Sequence, residues 1–222
     1  MAMLPAEGPP AVQAFYEDAD ILVLHKPAGL LCVPGRGPDK QDCLSARAQQ
    51  RWPGALIVHR LDQATSGLVL MARHIDAQRT LSQAFAERQV HKRYVAVVQG
   101  QMQPPGEGAW AEIDLPIAAD WERRPLRVID PAHGKPSLTR WRAEAHDATA
   151  GTTRVLLEPV TGRTHQLRVH LAALGHAILG DALYANAATL ARSPRLLLHA
   201  SELALAHPAT GEPLQFHWPA EF

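Results

Sequence analysis

Short aliphatic runs recur along the chain, most of them too brief and too β-branched to be helices. Ile21-Leu22-Val23-Leu24, Ala55-Leu56-Ile57-Val58 and Leu68-Val69-Leu70-Met71-Ala72 read as buried strands. Residues 14–18 lead through a turn into the first of these. A basic start, His91-Lys92-Arg93-Tyr94, runs into a strand closed by Gly100, and residues 138–145 and 152–158 predict a hairpin. Residues 112–117 read as an edge strand, while 196–200, 203–205 and the alternating Leu214, Phe216 and Trp218 return to strands near the C-terminus. Helical spacing is confined to three stretches. Residues 44–52 form a helix stopped by Pro53-Gly54. Residues 74–89 form an amphipathic one, with Leu81, Ala84, Phe85 and Arg88 on one side and Asp76 as N-cap. In residues 161–175, Leu167, Leu171 and Leu174 make a core stripe and Gly175 the C-cap. Residues 104–108 are a loop, and 121–135 are the most loop-like part of the chain. No repeat, charge block or linker divides it. The pattern predicts one α+β domain over residues 1–222, a largely antiparallel mixed sheet flanked by helices and loops.

Composition narrows the classes without choosing one. The 222 residues are 46% apolar and 20% charged, as in an ordinary soluble globular protein. No apolar run spans a bilayer, and no basic segment followed by an apolar one marks a signal peptide, so a cytoplasmic protein is expected. Two cysteines, Cys32 and Cys43, exclude a disulfide framework and a zinc ribbon. The twelve histidines show no His-Glu-x-x-His spacing, and no metal site is expected. Gly35-Arg36-Gly37 matches neither phosphate-loop pattern. Basic and acidic residues balance at 22 each, so net charge does not argue for nucleic acid. Eighteen of the cations are arginine, which suits phosphate forks and base stacking as well as a plain compositional bias.

Chemistry concentrates in three places. His59-Arg60-Leu61-Asp62-Gln63-Ala64-Thr65-Ser66-Gly67 sets an imidazole, a guanidinium and a carboxylate between two core strands. Such a position is where rigid scaffolds hold reactive groups, but taken alone the segment reads first as an ordinary loop with Arg60 and Asp62 paired locally. Tyr94 stands at the mouth of a strand, as a cleft-facing ring or a core anchor. Arg168 lies beside the leucine stripe, three residues after His165, and a partly buried arginine there wants a carboxylate partner. Trp121 among Arg123, Arg124, Arg127 and Lys135 fits either a solvated loop or an RNA contact.

Together these segments resemble the pseudouridine synthases of the RluA family. His59-Arg60-Leu61-Asp62 with Thr65-Ser66-Gly67 is similar to the family's catalytic segment, and Lys92-Arg93-Tyr94-Val95-Ala96 to its second motif. Gly162-Arg163-Thr164-His165-Gln166-Leu167-Arg168-Val169-His170, with Gly175-His176 and Gly180-Asp181, is similar to its third. The likeness runs from about Ile21 to the C-terminus. His25-Lys26-Pro27 replaces the family's usual Asn-Lys-Pro, and Ala177 replaces a common Pro. Only about twenty residues precede the first strand, too few for the N-terminal S4-type domain of many members. The chain thus looks most like the short, single-domain member that modifies stem-loops of 23S rRNA and tRNA.

The resemblance implies the pseudouridine synthase fold with a central active-site cleft, and an isomerisation of uridine in RNA that needs no cofactor. Asp62 would be the catalytic carboxylate. Arg168 would pair with it and keep it ionised, and Tyr94 would stack on the uracil and help remove the C5 proton. Leu167 would pack on the base or sugar and exclude water, and Arg60 would fill the space left by a flipped uridine. His59, Thr65, Arg163 and His165 would complete the substrate site. Lys92, Arg93, Arg123, Arg124 and Arg127 would contact the RNA backbone. A monomer with no membrane partner is expected. The rivals are a non-catalytic RNA-binding protein and an N-glycoside hydrolase using Asp62. The hydrolase is disfavoured because hydrolysis normally requires a second carboxyl group.

Overall fold

The computed structural model describes residues 12–104, 106 and 108–222. The expectations of no signal peptide and no preceding domain lie outside the described residues, as does part of the 104–108 loop. The chain begins with β1 (Ala14–Glu17), β2 (Ile21–Lys26), α1 (Leu44–Arg51), β3 (Leu56–Ile57), β4 (Ser66–Ala72), α2 (Ile75–Ala86) and β5 (His91–Gln99). It continues with β6 (Ala111–Asp114), β7 (Ile117–Ala119), β8 (Arg127–Ile129), β9 (Leu138–Asp147) and β10 (Thr152–Pro159). It ends with α3 (Gln166–Ala173), α4 (Ala187–Leu190), β11 (Leu198–Ala206) and β12 (Pro213–His217). The class is α+β. Among the described residues no helix is long and apolar enough to cross a membrane.

One ten-stranded sheet runs β1-β2-β4-β11-β5-β10-β9-β6, with β12 on β11 and β3 on β4. Its pairs are antiparallel except β4 with β11, which run parallel through Ser66–His199 and Gly67–Ala200. The aliphatic runs of β2 and β4 are buried on both faces, which is why they do not alternate with polar residues. Leu22, Leu24, Val69 and Met71 pack with Leu44, Ala48 and Trp52 around α1 on one side. Ile21, Val23, Leu68 and Leu70 pack with Ala77 and Leu81 of α2 on the other. A further cluster joins Ala96, Val98, Val155 and Leu157 to Leu167 and Leu171 of α3. Tyr94 packs against both the α1 cluster and the α3 cluster, so it marks their seam.

Several predicted boundaries move, each for a local reason. The 161–175 helix starts only at Gln166, because the Arg163 amide and the Thr161 hydroxyl both donate to Gln166 Oε1 in a turn. His165 then adopts a left-handed φ of 58°, and Leu174 is 43% exposed rather than part of the core stripe. His74, not Asp76, caps α2 by accepting the Ala77 N–H on Nδ1. Arg88 lies beyond that helix at φ 61°. The 55–58 run shrinks to the two residues of β3. The 112–117 strand breaks into β6 and β7 at Pro116, which has no amide to donate. The predicted 121–135 loop contains β8, paired with β7. The runs at 196–200 and 203–205 merge into β11, with a register shift between Ala200 and Glu202.

Candidate active site

The segment between β3 and β4 is tied down residue by residue. His59 Nε2 accepts the Leu70 amide at 3.0 Å while its ring stacks on Phe85 at 4.6 Å. Burial and the nearby Lys92 push its pKa down to about 3, so the imidazole is neutral. Cys32 Sγ accepts the Leu61 amide at 3.2 Å. Gln63 exchanges hydrogen bonds with Gly29, its carbonyl accepting and its Nε2 donating. Lys26 is fully buried, and its ammonium donates to the carbonyls of Pro27, Leu30 and Gln63 at 2.8–3.0 Å. Finally the Thr65 amide closes a turn on the Asp62 carbonyl at 3.1 Å. The local Arg60–Asp62 pairing allowed by the sequence does not form. Arg60 stands exposed at the lip of the cleft.

Asp62 instead opens into a cleft of about 490 Å³, with 25% of its side chain exposed. Arg168 Nη1 lies 3.6 Å from its Oδ2, and His165 Nε2 lies 4.0 Å from the same atom. Tyr94 lines the cleft, and burial followed by the Asp62 charge raises its pKa. Its phenol therefore stays protonated. Leu167 walls the cleft at 6% exposure. Thr65 and Arg163 also line it, with Arg163 Nε reaching the Pro136 carbonyl at 3.3 Å. Among the described lining residues Asp62 is the single carboxylate, against Arg60, Arg88, Lys92, Arg163 and Arg168. A chain balanced in charge thus builds a strongly basic cleft.

The expected backbone contacts divide. Lys92 lines the cleft half-buried, 5.9 Å above the Phe85 ring, with its pKa lowered by burial. Arg93 is not among the residues that line it, and its guanidinium is held by Glu158 at 2.7 Å and Glu202 at 3.0 Å. Arg123 pairs with Asp120 at 2.7 Å, and Arg124 stacks at 4.2 Å on Trp121, itself 71% exposed. Arg127 belongs to β8, where its amide donates to Tyr184 Oη at 3.0 Å. None of Arg123, Arg124 and Arg127 lines the cleft.

The principal partner of Arg168 is also not the expected one. Asp181 takes its Nε and Nη2 at 2.8 and 2.6 Å, leaving Nη1 for Asp62. Tyr184 shares a 2.7 Å hydrogen bond with His165 Nδ1. Sequence reasoning assigned no role to Asp181, Tyr184, Lys26 or Cys32. The Gly180-Asp181 and Lys26-Pro27 pairs were the only signals for two of them. Elsewhere, Asp18, Asp20 and His207 bring ligand-type atoms within 4.8 Å of one another. The Asp18 carboxylate there already accepts from Tyr16, His207 and two backbone amides, and Asp20 pairs with His74.

With this geometry in place, comparison with known proteins is specific. The family model for RNA pseudouridylate synthase matches residues 20–173. A dual-specificity RNA pseudouridine synthase RluA from Escherichia coli K12 is 46% identical over 213 residues, covering 96% of this chain and 95% of that one. Its counterpart from Haemophilus ducreyi is 42% identical over 226 residues, covering all of both chains. The solved human RNA pseudouridylate synthase domain containing 1 superposes with a TM-score of 0.77 at 32% identity, covering 96% of this chain and 86% of that one. The chain belongs to the RluA family of RNA pseudouridine synthases.

Proposed function

We propose that this chain isomerises uridine to pseudouridine within structured RNA, with Asp62 as the catalytic carboxylate. The observation that carries the reading is Asp62 itself, the one carboxylate of a basic cleft, 3.6 Å from Arg168 and beside the Tyr94 ring. The N1–C1′ bond breaks, the uracil turns, and a C5–C1′ bond forms; the C5 proton leaves to solvent and N1 gains one. Atoms balance without a redox partner, so the reaction calls for no cofactor. An ionised Asp62 serves attack at C1′, attack at the base, or removal of the C2′ proton. Arg168, 3.6 Å away, gives that carboxylate a cation partner. Tyr94 stacks on the turned base, while Leu167 keeps water from the broken bond.

Arg60 stands at the lip, where it replaces the extruded uridine in its stack. His59 acts through the backbone and Phe85, and Thr65, Arg163 and His165 line the base and sugar site. Lys92, which lines the basic cleft, takes a phosphate, as do Arg124 and Arg127 on the outer hairpin. The relatives are named as dual-specificity RNA pseudouridine synthases, and the substrates proposed for this chain are 23S rRNA and tRNA stem-loops. A single catalytic domain acting as a cytoplasmic monomer completes the proposal. Asp62→Asn is expected to abolish tritium release from uridine-5-labelled RNA while RNA still binds. Near-normal release would refute the assignment, and free uracil in place of pseudouridine would make the chain a hydrolase.

A further inference from the structure

Asp181 is fully buried and takes no part in the reaction as drawn, yet it holds more of Arg168 than Asp62 does. Its Oδ2 accepts from Arg168 Nε at 2.8 Å and its Oδ1 from Nη2 at 2.6 Å. Oδ1 also accepts the amides of Leu183 and Tyr184 at 2.9 and 3.2 Å, which fix the carboxylate in its turn. That turn is keyed to the sheet. Ile178 bridges Val98 of β5, the strand that carries Tyr94, and Gly180 (φ 73°) sits so close that a Cβ there would lie 1.9 Å from the Arg195 carbonyl. Within the same turn Tyr184 lies 5.2 Å from Arg168 Cζ and hydrogen-bonds His165.

We infer that Asp181 is the positioning residue that aims Arg168 at Asp62. A guanidinium is planar, so clamping its Nε–Nη2 edge fixes the direction of Nη1. Arg168 can then polarise Asp62 from 3.6 Å without closing on it as a two-pronged pair. The catalytic carboxylate keeps its counter-ion while its oxygens stay open to substrate. Without the two-pronged hold of Asp181, Arg168 is free to turn and clamp Asp62 instead. This inference rests on the proposed pseudouridine synthase reaction.

The test uses Asp181→Asn, which presents an amide N–H to Arg168 Nε, and Asp181→Ser, which keeps an acceptor for the Leu183 and Tyr184 amides. Single-turnover tritium release and RNA affinity are measured on a uridine-5-labelled tRNA transcript, with melting temperatures alongside. A rate loss of about 100-fold is expected for both variants, on the scale of an ångström misplacement of a reacting group, with RNA affinity unchanged or tighter. In an Arg168→Lys background, where no fork exists to clamp, Asp181→Ser should cost less than about threefold. Rates within about threefold of wild type, loss of RNA affinity matching the loss of rate, or full additivity with Arg168→Lys would each overturn the inference. A wild-type chain that released no tritium would instead overturn the reaction itself.

Discussion

Replacing Lys26 by Met removes a buried cation from beneath the Asp62 loop, and the structure sets two opposing terms. Burial brings the Lys26 pKa from 10.5 to about 8, with the charge of Asp62 opposing the change. At about 1.4 kcal/mol per pH unit, the ammonium costs roughly 3 kcal/mol at neutral pH. Against this stand three charge-assisted hydrogen bonds to Pro27, Leu30 and Gln63, at roughly 1.5–3 kcal/mol each. Gln63 keeps the Gly29 amide as a second donor, so its carbonyl is not orphaned. The hydrogen bonds win, and Lys26→Met is expected to lose about 2–5 kcal/mol. In urea that lowers the midpoint by about 1–2 M. Because Gln63 follows Asp62 directly, the single-turnover rate should fall by about tenfold or more. The pH dependence has a fixed sign. Native Lys26 releases its proton near pH 8 and the unfolded chain near 10.5, so in that window the unfolded state binds more protons and wild-type stability rises with pH. The stability gap between wild type and variant therefore widens from pH 8 to 10. A variant as stable as wild type with an unchanged rate, or a gap that narrows, would refute this account.

Two further changes probe the scaffold. His199, buried between Ser66 and the Trp218 carbonyl, has its pKa pushed down from 6.5 to about 4, chiefly by burial. Its contribution is complete above pH 6.5 and lost as pH falls toward 4, so His199→Gln should flatten the acid loss of stability by about 1.4 kcal/mol per pH unit; identical slopes in urea titrations at pH 7, 6 and 5 would contradict this. Gly67 has φ 119°, and a Cβ there would lie 2.3 Å from the Ala200 carbonyl, so Gly67→Ala should cost more than about 4 kcal/mol or prevent folding, and a melting temperature near wild type would show that β4 and β11 pair more loosely.

What could be read in the sequence follows from the range of the forces involved. The runs at 21–24 and 68–72 announced themselves because both faces of β2 and β4 are buried, so no polar residue interrupts them. His165 and Arg168 were legible as bordering one cleft from their spacing, although His165 stands at the left-handed cap before α3 rather than on the helix. The partner of Arg168 was not legible, since Asp181 reaches it from a separate turn. The sequence shows the charge of Arg93 but not the carboxylates folded against it, Glu158 and Glu202. Lys26 stood out only as part of His25-Lys26-Pro27, and the three carbonyls converging on it explain its burial. The overextended third helix failed on one side chain, Gln166, which turns back to hold its own approach.

The parallel contact between β4 and β11 also governs how the molecule comes into being. Strand β11 sits between β4 and β5, and Ser66 meets His199 across 133 residues of chain. Until Leu198–Ala206 arrives, the half carrying Asp62 and the half carrying Tyr94 have no common strand. Each half then presents an unsatisfied edge, the kind that recruits other chains. Closing so long a loop is slow, since its entropy is lost before any contact rewards it. Ala200 and Leu198 of that strand also belong to the two cores that meet at Tyr94, so the arrival of β11 covers both edges and sets Asp62 and Tyr94 on one frame.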